Sequence, residues 1–291
     1  MLGPTASGKT ALGVKLAEQL NGEIISADSR QVYRGMDIGS GKDLDEYGAT
    51  PYHLIDIVDP GYEFNVFEFQ KRFCDSFLQI EKNKHLPLLV GGTGMYLESV
   101  LSQYQFTEVP TNNALRETLA PQSDDELGNY LKELNPNQHN TTDLLDRDRL
   151  IRAIEIAEAE QLPHRPSVTL PDITPLIFGI KWERSILKER ITLRLKQRLE
   201  QGLIEEVERL NKEGVSWESL HFYGLEYRFI AAFLQGDINR NDMFQKLNSA
   251  IHTFAKQQEK WFRRMERKGT IIHWLNGESD TLQQALEIIS S

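Results

Sequence analysis

Apolar and polar positions along the chain fall into blocks that change period. Ala11, Leu12, Val14, Leu16, Ala17 and Leu20 recur at helical spacing, and Asn21-Gly22 supplies a left-handed stop. Glu23 to Ala27 then reads as a strand, with a second strand near 53–57. A helix is predicted over about 65–82 with Phe67, Phe73, Phe77 and Ile80 inward, followed by a strand at Leu88-Leu89-Val90. Strand and helix alternate in this way through Val100, the pattern of an α/β fold built on a parallel sheet. From Gln105 to about Pro171 the chain turns helical and polar, broken at Pro110 and Pro121 and closed by Pro163 and Pro166. Pro175 to Trp182 restores an apolar strand, and helices are expected over most of the remainder. The predicted organisation is an α/β core of 1–104 and 172–291 with a helical subdomain inserted over 105–171.

Composition narrows the class. The 291 residues are 40% hydrophobic and 26% charged, enough apolar material for a packed core, which excludes disorder as the main state. Apolar runs such as Leu86 to Val90 are far shorter than the roughly 18 residues of a membrane helix, and no basic-then-apolar leader opens the chain. No membrane partner is expected. Cys74 is the only cysteine, so no internal disulfide or thiolate metal cage can form, and a reducing cytoplasm is the expected setting. The net charge of −10 means that any nucleic-acid contact must come from local basic faces. The seven histidines show no metal-ligand spacing.

The first residues carry the sharpest chemistry. Gly3, Pro4, Thr5, Ala6, Ser7, Gly8, Lys9 and Thr10 match the phosphate-loop pattern GxxxxGK[ST] in full, with the predicted helix behind them. Backbone N–H groups and the Lys9 ammonium would hold phosphate, and the Thr10 hydroxyl would face Mg²⁺. The core is therefore read as phosphate-loop NTPase-like. A strand normally leads into such a loop, yet only Met1 and Leu2 precede Gly3, so further apolar residues are expected upstream. Nucleotide hydrolases place a metal-binding Asp after an apolar strand, whereas Leu88-Leu89-Val90 runs into Gly91-Gly92-Thr93-Gly94. The strand at 23–27 does end in an acid, Asp28, at the strand terminus that faces the phosphate crevice. Asp28 is a candidate general base or metal ligand, or else it caps the next turn.

Beyond these motifs the chain resembles the tRNA dimethylallyltransferases, also called tRNA isopentenyltransferases. The resemblance rests on GPTASGKT at Gly3 to Thr10, SADSRQVYRGMDIGSGK at Ser26 to Lys42, YHLIDIVDP at Tyr52 to Pro60 and LLVGGTGMY at Leu88 to Tyr96. DRDRLIRAIE at Asp146 to Glu155, RITLRLKQRLEQGLIEEV at Arg190 to Val207 and FAKQQEKWFRR at Phe254 to Arg264 extend it over most of the chain. The resemblance implies transfer of a prenyl group from dimethylallyl diphosphate to N6 of the adenosine 3′ of the anticodon, in tRNAs reading codons that begin with U. It implies that Lys9, the loop and Arg194 or Arg190 hold the diphosphate, with Mg²⁺ at Thr10. Asp28 would deprotonate the amine, and Thr93 would contact the target adenosine and the reacting centre. The base must be flipped out to react, and the resemblance puts Asp28, Ser29, Arg30 and Gln31 against it. It puts Arg116 and the segment Asp148, Arg149, Leu150, Ile151 and Arg152 against the anticodon stem-loop, with the protein acting as a monomer.

Two stretches depart from the family pattern. Ser40-Gly41-Lys42-Asp43 stands where TAKP is usual, and His221 to Tyr227 stands where a QAIGYKE-like stretch is usual. Rival readings are prenylation of a free adenine nucleotide, a small-molecule kinase using the same loop, and a degenerate RNA-binding paralogue.

Overall fold

The computed structural model describes residues 1–106, 108–136, 147–161 and 168–291. Pro163 and Pro166, expected to close the insertion, and Asp143 and Asp146 beside its basic segment lie outside the described residues. The chain divides into two compact units, Met1–Tyr104 with Leu170–Ser291, and Gln105–Thr169.

The larger unit has the expected α/β class. Helix α1 (Lys9–Leu20) ends at Asn21, which takes the left-handed conformation at φ 51°. Gly22 already opens strand β1 (Gly22–Ala27), where a Cβ would lie 2.2 Å from the Leu88 side chain. Parallel to β1 run β2 (Tyr52–His53) on one side and β3 (Leu86–Gly91) on the other. The strand expected near 53–57 is cut short at His53. Leu54 and Asp56 both adopt positive φ, which swings the chain so that the Ile57 and Val58 amides bond the Val32 carbonyl instead of β1. Helix α2 (Val66–Lys82) starts at Asn65, whose side chain caps the Glu68 amide. It buries Phe69, Phe73 and Ile80, while Phe67 and Phe77 are only half-buried because the stripe is centred two residues later than predicted.

Helix α3 (Gly94–Leu101) follows the glycine-rich turn after β3. After the insertion, β4 (Phe178–Lys181) pairs in parallel with β5 (His273–Asn276), an edge strand too short to show against the helical background. Helices α7 (Arg184–Glu200), α8 (Leu203–Lys212), α9 (Trp217–Phe222), α10 (Leu225–Leu234), α11 (Arg240–Arg267) and α12 (Thr281–Ser290) supply the rest. The smaller unit is helical, with α4 (Asn113–Leu119), α5 (Asp124–Leu134) and α6 (Arg147–Glu160) packed around Leu119, Leu127, Leu131, Leu150 and Ile154.

The two sheets are joined by one residue. Leu2 bridges Gly91 of β3 and Gly179 of β4, both in parallel, and it is fully buried. Its N–H donates to the Phe178 carbonyl at 2.8 Å, and its own carbonyl accepts from Ile180 at 3.2 Å. Leu2 thus occupies the centre of the sheet, directly ahead of the phosphate loop. The Met1 ammonium donates to the Leu89 carbonyl at 2.8 Å, and burial pushes its pKa down to about 5. Below that pH the folded chain must bury a charge. Adding about four Val and Ile residues ahead of Met1 would lengthen this strand toward ordinary size and replace the amine by a peptide N–H. The extended chain is expected to melt several degrees higher, with the gap widening as pH falls from 8 toward 5. Equal melting curves would mean that Leu2 alone supports the loop.

Candidate active site

The phosphate loop turns tightly because Ala6 and Gly8 both have positive φ, 61° and 89°. Left-handed residues beside right-handed ones point successive N–H groups into one hollow, and the start of α1 adds its unpaired amides. Of the predicted loop residues, Ala6, Gly8, Lys9 and Thr10 line a cleft of about 340 Å³. Gly3, Pro4 and Ser7 are buried behind it, and the Thr5 amide donates at 2.8 Å to Gln258 on α11. Gln258 also donates to the Gly92 carbonyl at 2.9 Å, which ties the loop to the glycine-rich turn. No local sequence signal marks Gln258, since its two partners lie more than 160 residues away.

Helix α7 forms the facing wall with Arg190, Arg194 and Arg198, each one turn from the next. Arg190 donates to the Ala6 carbonyl at 3.0 Å and lies 4.1 Å above the Trp182 ring, while the Trp182 indole donates to Ser7. This clamp holds the back of the loop. Arg194 is ion-paired with Asp43. Arg198 was not anticipated, although the i, i+4, i+8 repeat of arginine from Arg190 was present to be read. Burial lowers the Lys9 pKa to about 8 despite Asp28 and Asp43, and the charges of Arg194 and Arg198 lower it further. The cleft is therefore a surplus of positive charge pressed together, which a polyanion would relieve.

Asp28 follows the end of β1, on the sheet side of Lys9. Its Oδ1 accepts from the Arg30 amide at 2.9 Å, so it does cap the turn, and its charge reaches Lys9. The Thr93 hydroxyl accepts from the Ser29 amide at 3.1 Å, and the Thr93 amide donates to Ala27. The Asp28-Ser29 and glycine-rich turns are thus locked side by side. Tyr47 and Tyr96 are buried near enough to Asp28 for its charge, added to desolvation, to raise both phenol pKa values.

Other predicted residues are placed differently from the expectation. Gln31 is buried, its amide oxygen bonded by Ser26 at 2.8 Å and its nitrogen donating to Gly41 at 3.0 Å, so it braces the 28–41 loop with one bond at each end of the amide. Arg30 lies 5.4 Å above the exposed Phe222 ring. The same loop is held by two further groups the sequence did not flag. Lys42, fully buried, donates to Tyr33, Asp37 and Asp56. Glu206 accepts from the Asp37, Ile38 and Gly39 amides and from Tyr227. Toward the end of α11, Phe262 is core, and Arg264 and the following Lys268 bind the buried carboxylate of Glu98.

In the smaller unit Arg116 and Arg152 converge on Glu155, which is buried and accepts from Arg116 Nε at 2.8 Å, Arg152 Nη1 at 2.8 Å and the Asn112 amide at 2.9 Å. Burial opposes this charge, yet the bonds to Arg116, Arg152 and Asn112 hold the Glu155 pKa at about 2. Leu150 is core and Ile151 packs against it, whereas Asp148 and Arg149 are exposed. The two guanidiniums therefore act first as a clamp on a buried acid. Arg152→Ala is expected to destabilise this unit by about 1–3 kcal/mol, measured by hydrogen exchange of the α6 amides, because a buried carboxylate loses a charged partner.

Known proteins share this arrangement of elements. The IPP transferase family model matches residues 31–265 and the isopentenyl transferase model matches residues 1–49. The chain is 65% identical over 289 residues to tRNA dimethylallyltransferase 1 of Geotalea uraniireducens, covering 99% of this chain and 95% of that protein. It is 59% identical over 291 residues to tRNA dimethylallyltransferase 2 of Syntrophotalea carbinolica, covering 100% and 98%. Among solved structures, the tRNA isopentenylpyrophosphate transferase of Bacillus halodurans superposes with a TM-score of 0.71 at 32% identity, over 99% of this chain and 93% of that one. On the strength of its family model and of relatives matched over nearly their whole length, the chain belongs to the tRNA dimethylallyltransferase family.

Proposed function

We propose that the protein transfers the dimethylallyl group of dimethylallyl diphosphate to N6 of the adenosine 3′ of the anticodon, in tRNAs reading codons that begin with U. The observation that carries this reading is the meeting of a phosphate loop and an arginine wall in one cleft, with the charge of Asp28 reaching Lys9 and Thr93 bonded to the Ser29 amide next to it. In the reaction the donor C–O bond breaks and its electron pair leaves with diphosphate, while a C–N bond forms to the adenine amine. Lys9, the loop amides, Arg190 and Arg194 neutralise the leaving group. Asp28 accepts the N6 proton, and Thr93 orients the amine while fixing the Asp28 turn through Ser29. Ser29 and Arg30 face the flipped base, and Gln31 supports them from behind.

Mg²⁺ suits the cleft. Its lining includes the oxygen-bearing side chains of Thr10, Glu46, Gln197 and Gln201 beside the arginine-paired Asp43, and among the described residues no group of three or more His, Cys, Asp or Glu forms a cage. Magnesium is commonly held by few protein oxygens with substrate phosphates completing its shell. Thr10 would hold the ion, which would add positive charge to the departing diphosphate. Among the described residues no helix is long and apolar enough to cross a membrane.

Incubating the protein with labelled dimethylallyl diphosphate and either an anticodon stem-loop or AMP tests the acceptor. Label on the stem-loop is expected; label on AMP alone would select the free-nucleotide reading, and phosphorylation from ATP would select a kinase. In the stem-loop assay Arg149→Ala is expected to raise KM and to reduce the slope of log KM against log salt by about one, the effect of one lost phosphate contact. An unchanged salt slope would remove Arg149 from the RNA surface.

A further inference from the structure

Arg198 stands in an unusual condition for a charged side chain. It is 8% exposed, it lines the cleft beside Lys9 and Arg194, and its Nε has no hydrogen-bond partner among the described residues. Its two ion pairs are loose, with Nη2 4.0 Å from Asp43 and Nη1 3.7 Å from Glu226, both beyond hydrogen-bond reach. A buried guanidinium with unmet donors is costly unless a ligand rich in acceptors completes it.

The surroundings are fitted to this one side chain. A Cβ at Gly41 would lie 1.7 Å from Arg198 Nη2 and 3.2 Å from Arg194 Nη2, so no other residue at 41 leaves the guanidinium where it is. Asp43, two residues on, adopts a left-handed conformation at φ 48° that brings its carboxylate to both arginines. Glu226 approaches from the start of α10. Gly41, Asp43 and Glu226 all lie in the two stretches where the sequence departs from the family pattern. The fold brings these separate departures together on Arg198.

We propose that Arg198 is an additional diphosphate-binding residue of the donor cleft, with Asp43 as its counter-ion until the donor arrives. This rests on the reading of the cleft as the donor site. The diphosphate oxygens take the donors that Asp43 and Glu226 leave unmet, and Asp43 gives way to the more highly charged ligand. The arginine occupies the space of a side chain at 41, so a larger residue there displaces the guanidinium.

Binding of inorganic pyrophosphate to the whole protein with Mg²⁺, followed by calorimetry, tests this directly. Arg198→Met is expected to weaken binding by roughly 10- to 100-fold, the range for a lost charge-assisted bond. Asp43→Asn, which removes the competing anion, is expected to tighten it several-fold. Arg198→Met combined with Glu226→Gln avoids an orphaned buried acid and is expected to bind as weakly as Arg198→Met while folding normally. Gly41→Ala should mimic Arg198→Met in affinity and lower the melting temperature, and adding Arg198→Met to it should restore part of that stability with no further loss of affinity. Lys9→Ala separates the two levels of the argument. If it abolishes pyrophosphate binding while the Arg198 variants bind normally, the role of Arg198 is overturned and the donor cleft stands. If Lys9→Ala also binds normally, the reading of the cleft itself fails. Weaker binding in Asp43→Asn would make Asp43 a ligand of the complex and overturn its part as counter-ion.

Discussion

Asp28→Ala and Asp28→Asn are both expected to lower turnover by roughly 10² to 10⁴, the range for a lost general base, with donor affinity changed no more than a few-fold. The pair of variants separates two roles that one residue holds here. Asp28 Oδ1 accepts the Arg30 amide, and an Asn side-chain oxygen can take over that bond. Only the carboxylate can accept a proton from the adenine amine. If the residue merely shaped the turn, Asn would retain activity and Ala alone would lose it. Single-turnover measurement with a stem-loop distinguishes these outcomes, and wild-type rates in Asp28→Asn would remove the group from proton transfer.

Lys9→Met should lose donor affinity and turnover together, since the diphosphate charge is present in both the bound donor and the transition state. The same substitution is expected to make the folded protein more stable. A lysine whose pKa is lowered from 10.5 to about 8 is charged at a cost in the folded state below pH 8, and this cost disappears as pH rises toward 10.5. Because the side chain is half-buried, the gain at pH 7 should be on the order of 2 kcal/mol, less than the full shift converts to. Chemical denaturation at pH 7 and pH 10 would show the gain at the lower pH only. Donor binding in the wild type should follow the same titration. Above pH 8 the donor must draw a proton onto Lys9, so the donor Kd should rise up to tenfold per pH unit, and Lys9→Arg should flatten that dependence. A variant with reduced stability and unchanged donor affinity would mean that Lys9 serves packing rather than phosphate.

The arginines expected to contact RNA also have partners that no local pattern shows. Arg149 and Arg152 sit three apart and read as one basic face, yet in the fold Arg152 turns to the buried Glu155 and meets Arg116 there. Glu155 is one of several acids in this stretch, and only its burial makes it the centre of the cluster. Gln31 gains a bracing role in the same way, since its partners Ser26 and Gly41 meet it only in the folded chain.

The sequence by itself determined the parts whose physics is local. A phosphate loop needs left-handed turns and a helix start within a few residues, so Gly3 to Thr10 and α1 were readable in place. Strand β1 and its terminal Asp28, helix α2 and the helical character of the insertion follow from periodicity over single segments. Only the tertiary structure decided what depends on segments far apart in the chain. Leu2 completes the sheet because β3 and β4 supply partners on either side, β2 ends early because Leu54 and Asp56 turn toward Val32, and Gln258 joins two loops from a helix near the other end of the chain. Arg198 belongs to the same class: its spacing from Arg194 was visible, but its lack of partners and its need for Gly41 arise only where α7, α10 and the 41–43 turn close around it. Burial, which sets the cost of an unmet donor or charge, is a property of that closure and of no segment alone.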